Sequence, residues 1–278
     1  MAEARGTYGL LRDTLCVRGA DRKTWLDGLL TCAVTAVGGG VGGYGLLLTK
    51  TGKIVTDVFL LDSGSELWVG VAPGHGAAVR ELLDRYLVME DAELEQATEQ
   101  PHWLVATQGA AADVAGGVAR GTLALATLHA ELLLSSQGPS GELPDSAELL
   151  AEHGLGVFGV DFNERDNPHE ASLDRIAVSW TKGCYLGQEV VCMQDMRGKV
   201  KRRLVALDGS LALGSSAAAK EVLAADGSVA GQVSSVHPAP GGTRLLASIS
   251  TSALESPAEL NILGERVRVA FGSASNLS

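Results

Sequence analysis

The sequence has few aromatic residues and no excess of positive charge. Aromatic residues make up 4% of its 278 residues, which argues against a base-stacking surface for single-stranded nucleic acid. The formal net charge is −11 at pH 7. Because neutralised phosphates supply most of the affinity of nucleic-acid binders, direct nucleic-acid binding is not expected.

Cysteines are also few, and long apolar runs are missing. The chain has four cysteines and no CxxC pair, which gives no support to a disulfide framework or a structural zinc site. The six histidines show no HxxxH spacing, so no metal site is predicted. No run reaches the roughly 18 apolar residues of a membrane span, and no secretory signal opens the chain. These absences predict a soluble cytoplasmic protein without a membrane partner.

Hydrophobic residues and glycines are abundant. With 46% hydrophobic residues and 35 glycines, the chain can bury two or three turn-rich cores. Strand patterns at 14–19, 44–49, 54–61 and 67–72 alternate with helical patterns at 21–30, 76–88 and 147–153. Residues 92–135 are predicted to continue as strand, helix, strand and strand. This alternation predicts an α+β fold.

The texture changes near 197–203. Beyond that point short β-rich runs are separated by turn signals every 8–12 residues, which is typical of a small β-barrel or sandwich. We therefore predict an α+β region over 1–200 and a β-domain over 203–278.

The segment 182–189 carries the clearest chemistry. Lys182 lies two residues from Cys184, with Gly183 between them, and a nearby lysine lowers the pKa of a thiol. Gly187 permits close approach of a ligand. The alternative is that Cys184 is a buried small hydrophobe. A further alternative is a transient metal or redox pair of Cys184 with Cys192.

Two other features carry charge. Asp57 stands in an apolar strand and must be paired if it is buried; it has either a functional or a structural role. A basic run of Arg197, Lys199, Lys201, Arg202 and Arg203 forms either a solvated face or a contact for an anionic ligand.

The motif KGCYLGQE at 182–189 resembles the signature of the YgfZ family, which shares ancestry with the glycine-cleavage aminomethyltransferase. Similar flanks include FGVD at 158–161, PHE at 168–170 and the basic RGKVKRRL at 197–204. WLDGLLT at 25–31 and KIVTD at 53–57 resemble N-terminal elements of that family. The resemblance covers nearly the whole chain.

This resemblance implies a cloverleaf of three domains: two intertwined ferredoxin-like α+β subdomains within 1–200, which bind folate, and the C-terminal β-barrel within 203–278. It also implies a ligand, tetrahydrofolate or a one-carbon derivative, in a central channel. The implied role is to support iron–sulfur proteins or their assembly factors, and indirectly tRNA modification.

The resemblance also assigns site residues. Cys184, Lys182 and Asp57 are expected to carry the chemistry. Folate is expected to contact Asp57 together with Glu170, Gly183, Tyr185, Gly187, Gln188, Glu189 and Arg197. Met193 stands where such proteins commonly have Arg, which places the binding mode of the ligand in question.

Three functions are consistent with the sequence. The first is a folate-binding accessory protein with a reactive Cys184. The second is a folate-dependent one-carbon transferase or demethylase that uses Asp57. The third is a non-catalytic interaction or RNA-binding module, which the charge disfavours.

Overall fold

The computed structural model describes residues 6–97, 101–107, 115–139, 141–198, 200–209, 220–239, 241–255 and 260–270. The chain divides into two compact units. The first contains Met1–Ser146 and Arg175–Gln188, and the second contains Ala147–Asp174 and Glu189–Ser278. The signature segment 182–189 therefore ends at a division between units.

In its described residues the first unit holds two antiparallel sheets, two α-helices and a short 3-10 helix at Val34–Ala36. In chain order its elements are β1 Thr7–Leu10, β2 Asp13–Arg18, α1 Arg22–Asp27, β3 Gly43–Leu48, β4 Ile54–Asp62, β5 Leu67–Val71, α2 Gly76–Asp84, β6 Glu93–Gln96, β7 His102–Thr107, β8 Gly117–Leu125 and β9 Leu128–Ser135. One sheet has the order β3-β4-β5-β2-β6 and the other β1-β7-β9-β8. The predicted strands at 14–19, 44–49, 54–61 and 67–72 are confirmed within one or two residues.

The five-stranded sheet buries one face against α1 and α2. Val58 and Leu60 of β4 alternate with residues of the opposite face, and they join Leu26 and Leu83 of the helices in one apolar core. Burial of such side chains is the main favourable term in folding.

Helix α1 is shorter than the sequence predicts. The apolar spacing predicts a helix through Leu30, but α1 ends at Asp27. Leu29 and Leu30 follow in a turn whose N–H groups still donate to the Leu26 carbonyl, at 3.0 and 2.9 Å, and both residues are buried in the same core. Asp21 stands at the N-cap position without a side-chain cap bond; its Oδ2 accepts from the backbone N–H of Asp91 at 2.9 Å.

The region predicted as strand, helix, strand and strand contains only strands where it is described. β6, β7, β8 and β9 cover 93–96, 102–107, 117–125 and 128–135. Residues 108–114, within the segment for which helix was an option, lie outside the described residues.

The second unit contains a closed barrel. Its elements are α3 Ser146–Glu152, α4 Gln188–Arg197, β10 Arg202–Gly209, β11 Glu221–Leu223, β12 Val229–Ala239, β13 Gly242–Ser250, α5 Thr251–Glu255, β14 Leu260–Ile262 and β15 Glu265–Val269. The first residues of α3 and α4, Ser146 and Gln188, belong to the first unit. The barrel order is β10-β13-β12-β11-β14-β15, and pairing of β10 with β15 closes it. Closure joins the two end strands of the sheet, and the barrel encloses a core of aliphatic side chains. The predicted β-barrel is confirmed.

Helix α3 confirms the prediction for 147–153 within a residue, and Gly154 after it has φ +74°, the left-handed conformation that favours glycine at a helix end. Helix α4 was not predicted. Its apolar residues do not form one stripe, and only Val191 is buried, so the sequence lacks the periodicity by which a helix is recognised.

Among the described residues no helix has the length and apolar character needed to cross a membrane. The division of the sequence at 197–203 separates fold types, and the barrel begins at Arg202. As a division into domains it remains a prediction.

Candidate functional site

The segment 175–188 is fixed to the first unit through Thr31. The Thr31 hydroxyl donates to the carbonyl of Ala177 at 2.6 Å and accepts from the backbone N–H of Leu46 at 2.8 Å. The N–H of Ser179 donates to the carbonyl of Thr31 at 2.9 Å. Thr31 is fully buried, so these bonds attach the motif segment firmly to the turn after α1 and to β3.

Lys182 anchors the same segment. Its ammonium donates to the backbone carbonyls of Asp27 at 2.5 Å, Leu30 at 2.9 Å and Cys32 at 2.8 Å. The Asp27 carboxylate lies 3.3 Å away, and the Lys182 side chain is 4% exposed. An ammonium has three donors, so these carbonyls account for all of them. Lys182 thus satisfies the carbonyls at the end of α1 and stabilises the negative end of the helix dipole.

The two glycines of the motif have different surroundings. Gly187 has φ +82°, and a Cβ placed there would lie 2.5 Å from the carbonyl oxygen of Thr49. Only glycine fits this approach without strain. At Gly183 no described atom lies within 4 Å of an added Cβ. Gly187 is therefore required by packing, whereas Gly183 leaves open space next to Cys184.

Cys184 is exposed, while Cys16 and Cys32 are buried. Burial raises the pKa of Cys16 to about 11 and that of Cys32 to about 12, because a thiolate is poorly solvated away from water. Cys192 is half-buried on α4.

Tyr185 and Gln188 complete the motif within the first unit. Tyr185 is buried, and its ring centroid lies 5.8 Å from the Lys182 ammonium, within the range of a cation–π contact. The N–H of Gln188 donates to the Tyr185 carbonyl at 3.2 Å. Gln188 begins α4, Glu189 lies in its first turn and Arg197 in its last, an order of charges that suits the helix dipole.

Asp57 is buried in an ion pair. The Arg12 guanidinium donates to both Asp57 oxygens, at 2.5 and 3.0 Å, and the Tyr44 hydroxyl donates to Oδ2 at 3.3 Å. Arg12 also lies 4.6 Å from the ring centroid of Phe59. Burial, and then the negative charge of Asp57, raise the pKa of Tyr44 well above its usual value. The carboxylate is thus neutralised and enclosed.

Sequence reasoning missed Arg12. A buried carboxylate requires a cation, and Arg12 stands in the apolar run GLLRDTL at 9–15. That isolated cation, combined with the isolated Asp57, was the available signal.

Arg12 also borders a cavity of about 480 Å³ in the first unit. Leu10, Leu11, Trp103 and Leu143 contribute apolar walls, and Glu142 and Asp145 contribute carboxylates. The volume falls within the usual range of small-molecule sites, roughly 300–1,000 Å³. Asp57 does not line the cavity, but its ion-pair partner Arg12 does.

Glu170, in the second unit, takes part in a loop. Its Oε2 accepts from the N–H of Asn167 at 3.1 Å and from the Asn167 side-chain amide at 2.8 Å. Its carbonyl accepts from the N–H of Leu204 at 2.8 Å. Arg202 Nε lies 4.0 Å from Oε1. These contacts connect the loop to the first barrel strand; the predicted folate contact of Glu170 remains a prediction.

The basic run does not form one patch of unpaired charge. Arg202 binds Asp166 at 2.7 Å, and Arg203 binds Asp174 at 2.9 Å. Arg197 and Lys201 are exposed, and Lys199 lies outside the described residues. Two of the predicted cations are therefore at least partly neutralised by carboxylates of their own unit.

Comparison with known proteins gives a relative and a fold. No protein-family model matches the chain. It is 24% identical over 234 residues to the protein named "iron–sulfur cluster assembly factor IBA57 homolog, mitochondrial" of Chaetomium globosum. The match covers 70% of this chain and 54% of that protein. The chain thus spans about half the length of this curated relative. The structure resembles glycine cleavage system aminomethyltransferase T of Bartonella henselae with a TM-score of 0.76 and 14% identity, over 96% of this chain and 86% of that one. The chain has the aminomethyltransferase fold.

Proposed function

We propose that this protein is a folate-binding accessory factor for iron–sulfur proteins, with Cys184 as its reactive group. The observation that carries the proposal is the exposure of Cys184 on a segment held by Thr31 and Lys182. A rigid scaffold that presents an open loop thiol is typical of a functional cysteine. The named relative from Chaetomium globosum supports the iron–sulfur role.

The proposed ligand is tetrahydrofolate or a one-carbon derivative. The cavity beside Arg12 fits such a molecule in kind: Leu11 and Leu143 offer apolar surface for a flat ring, and Glu142 and Asp145 can accept from ring N–H groups. A bound folate would supply a carrier for a one-carbon unit. Glu170, Glu189 and Arg197 remain proposed contacts of the ligand.

The buried ion pair favours an accessory role over one-carbon transfer. A carboxylate that assists a reacting centre needs an accessible oxygen. Both oxygens of Asp57 accept from Arg12, and the residue is 1% exposed. The fold is therefore consistent with the transferase alternative, but the burial and pairing of Asp57 argue against it.

Calorimetric titration with tetrahydrofolate tests the ligand. Leu11 lines the cavity and is 78% exposed, and Val88, outside it, is 80% exposed. Leu11→Asp replaces an apolar wall of the cavity with a negative charge, which disfavours an anionic ligand such as folate, so we expect at least about a fivefold loss of affinity. Val88→Asp is the matched control and should bind as wild type.

Two outcomes would contradict the proposal. Absence of heat and of a thermal shift at millimolar tetrahydrofolate would remove the ligand. Sustained turnover of a one-carbon folate with an amine donor would make the protein a transferase.

The cytoplasmic setting predicted from the sequence remains part of the proposal, while the name of the relative places that protein in mitochondria.

A further inference from the structure

A histidine and two aspartates meet in the second unit, away from the motif cysteine. His169, Asp174 and Asp195 each offer one ligand atom, and these atoms lie within 4.8 Å of one another. His169 is 1% exposed and Asp174 is 2% exposed, while the Asp195 side chain is 30% exposed. Two of the three ligand residues are therefore buried, and the third faces solvent.

Hydrogen bonds within the loop before β10 fix the backbone at His169. Asn167 Oδ1 accepts from the backbone N–H groups of His169 and Glu170, both at 3.0 Å. The N–H of Leu173 donates to the carbonyl of Pro168 at 2.8 Å. These bonds close a tight turn, so His169 is held in place by the backbone on both sides. Asp195 is supplied by α4.

The separations suit a shared ion better than a direct hydrogen bond. His169 Nε2 and Asp195 Oδ1 are 3.5 Å apart, longer than the usual 2.7–3.2 Å of an N–H···O bond. Two ligands bound at about 2.1 Å to a tetrahedral ion lie roughly 3.4 Å apart. The pair thus already has the spacing of ligands to one metal.

Arg203 forms hydrogen bonds with the Asp174 carboxylate. Its guanidinium donates to Oδ1 at 2.9 Å and lies 3.5 Å from Oδ2. A carboxylate has about four lone-pair sites, so Asp174 can bind Arg203 and still bind an ion. Ligating carboxylates in metal sites are commonly hydrogen-bonded in this way. Arg203 also offsets one of the two negative charges.

We propose that His169, Asp174 and Asp195 bind one divalent first-row transition ion of the Zn²⁺ or Fe²⁺ class. Imidazole selects such ions over Mg²⁺ and Ca²⁺, which prefer oxygen ligands alone. Three protein ligands leave a position for water. The site would connect the loop 167–174 to helix α4.

Cobalt and zinc titrations test this site with the full chain. In a Cys184→Ser/Cys192→Ser background, Co²⁺ should bind with one equivalent and give a visible spectrum without a thiolate charge-transfer band. Zn²⁺ should displace it. Asp195→Asn should weaken Zn²⁺ binding by at least about tenfold. Asp208→Asn, whose side chain is 50% exposed and paired with Arg244, is the control and should bind as the background does.

Equal Zn²⁺ affinity in Asp195→Asn and the control would overturn the proposal. Absence of binding at 100 µM metal, which corresponds to a binding free energy of about −5 kcal/mol, would also overturn it. A measurement without substitution at the site protects the test against an unfolded variant. Pulsed EPR of the Mn²⁺-loaded background protein should detect coupling to one imidazole nitrogen. Absence of that coupling would also overturn the proposal.

Discussion

Asp57 and Cys184 both belong to the first unit, yet their surroundings are opposite. Asp57 lies in the middle of β4, 1% exposed, and both of its oxygens accept from Arg12. Cys184 lies in an irregular segment, exposed, beside the open position of Gly183. The strand encloses its charged group, whereas the loop presents its thiol.

This difference favours one chemistry over the other. A carboxylate in a buried ion pair serves the fold first, since removing its partner would leave a charge away from water. An exposed thiol contributes little to the fold, because it packs against few neighbours. The comparison therefore assigns stability to Asp57 and function to Cys184, and the following substitutions can break or sharpen it.

Arg12→Ala should have the largest effect on stability. It leaves Asp57 buried without its cation, which we expect to cost about 3–5 kcal/mol of the free energy of unfolding. Replacing both partners, Arg12→Met with Asp57→Leu, should recover most of that loss. Chemical denaturation measures both. A loss below about 1 kcal/mol in Arg12→Ala would mean that Asp57 does not depend on its partner and is available for other work.

Lys182→Met should cost about 3 kcal/mol, because the carbonyls of Asp27, Leu30 and Cys32 lose a charged donor. If the lysine acts only on the backbone, alkylation of Cys184 by iodoacetamide should change by less than about twofold. The sequence-based expectation was that Lys182 activates the thiol. A stable variant with alkylation slowed about tenfold would support that interpretation.

The glycines of the motif offer a matched pair. Gly187→Ala should destabilise the protein by about 2 kcal/mol or more, since the alanine would adopt φ +82° and its Cβ would approach the Thr49 carbonyl. Gly183→Ala should change stability by less than about 0.5 kcal/mol. Thermal denaturation compares them. Equal effects would contradict the division of the motif into a packed and an open part.

Alkaline pH should have a graded effect on the free energy of unfolding. The folded pKa values of Cys16 and Cys32, about 11 and about 12, exceed the roughly 8.5 of an unfolded cysteine. The contribution of the neutral thiols to the free energy of unfolding is therefore fully present below about pH 8.5, and it is lost as the pH rises towards 11–12. Each thiol should contribute a slope of about 1.4 kcal/mol per pH unit. Denaturation at pH 8 and pH 10 measures it, and Cys32→Ala should reduce the slope; an unchanged slope would contradict the assignment.

Much of the fold could be predicted from the sequence. The strands of the five-stranded sheet alternate or run apolar between turn residues, and the barrel strands recur with glycine and serine between them, so both were found. Helix α4 could not be found, because its residues do not form one apolar stripe. The end of α1 was misplaced because its last carbonyls are satisfied by Lys182, about 150 residues away in the chain.

The candidate site was predictable in its residues but not in their partners. The motif points to Cys184 and Lys182, yet no pattern in the sequence indicates that the ammonium binds three carbonyls. Arg12, and the meeting of His169 with Asp195, depend on contacts between distant segments. Spacing rules for metal sites read ligands on one element, so they could not detect this pair.

The most direct test of the account is complementation by Cys184→Ser. In cells that lack the native protein, wild type and Cys192→Ser should restore the activity of an iron–sulfur enzyme. Cys184→Ser should fold and bind tetrahydrofolate as wild type does, yet restore less than about a tenth of that activity, because the exposed thiol is the group proposed to act. Full restoration by Cys184→Ser would contradict the account and make the cysteine a structural member of its motif.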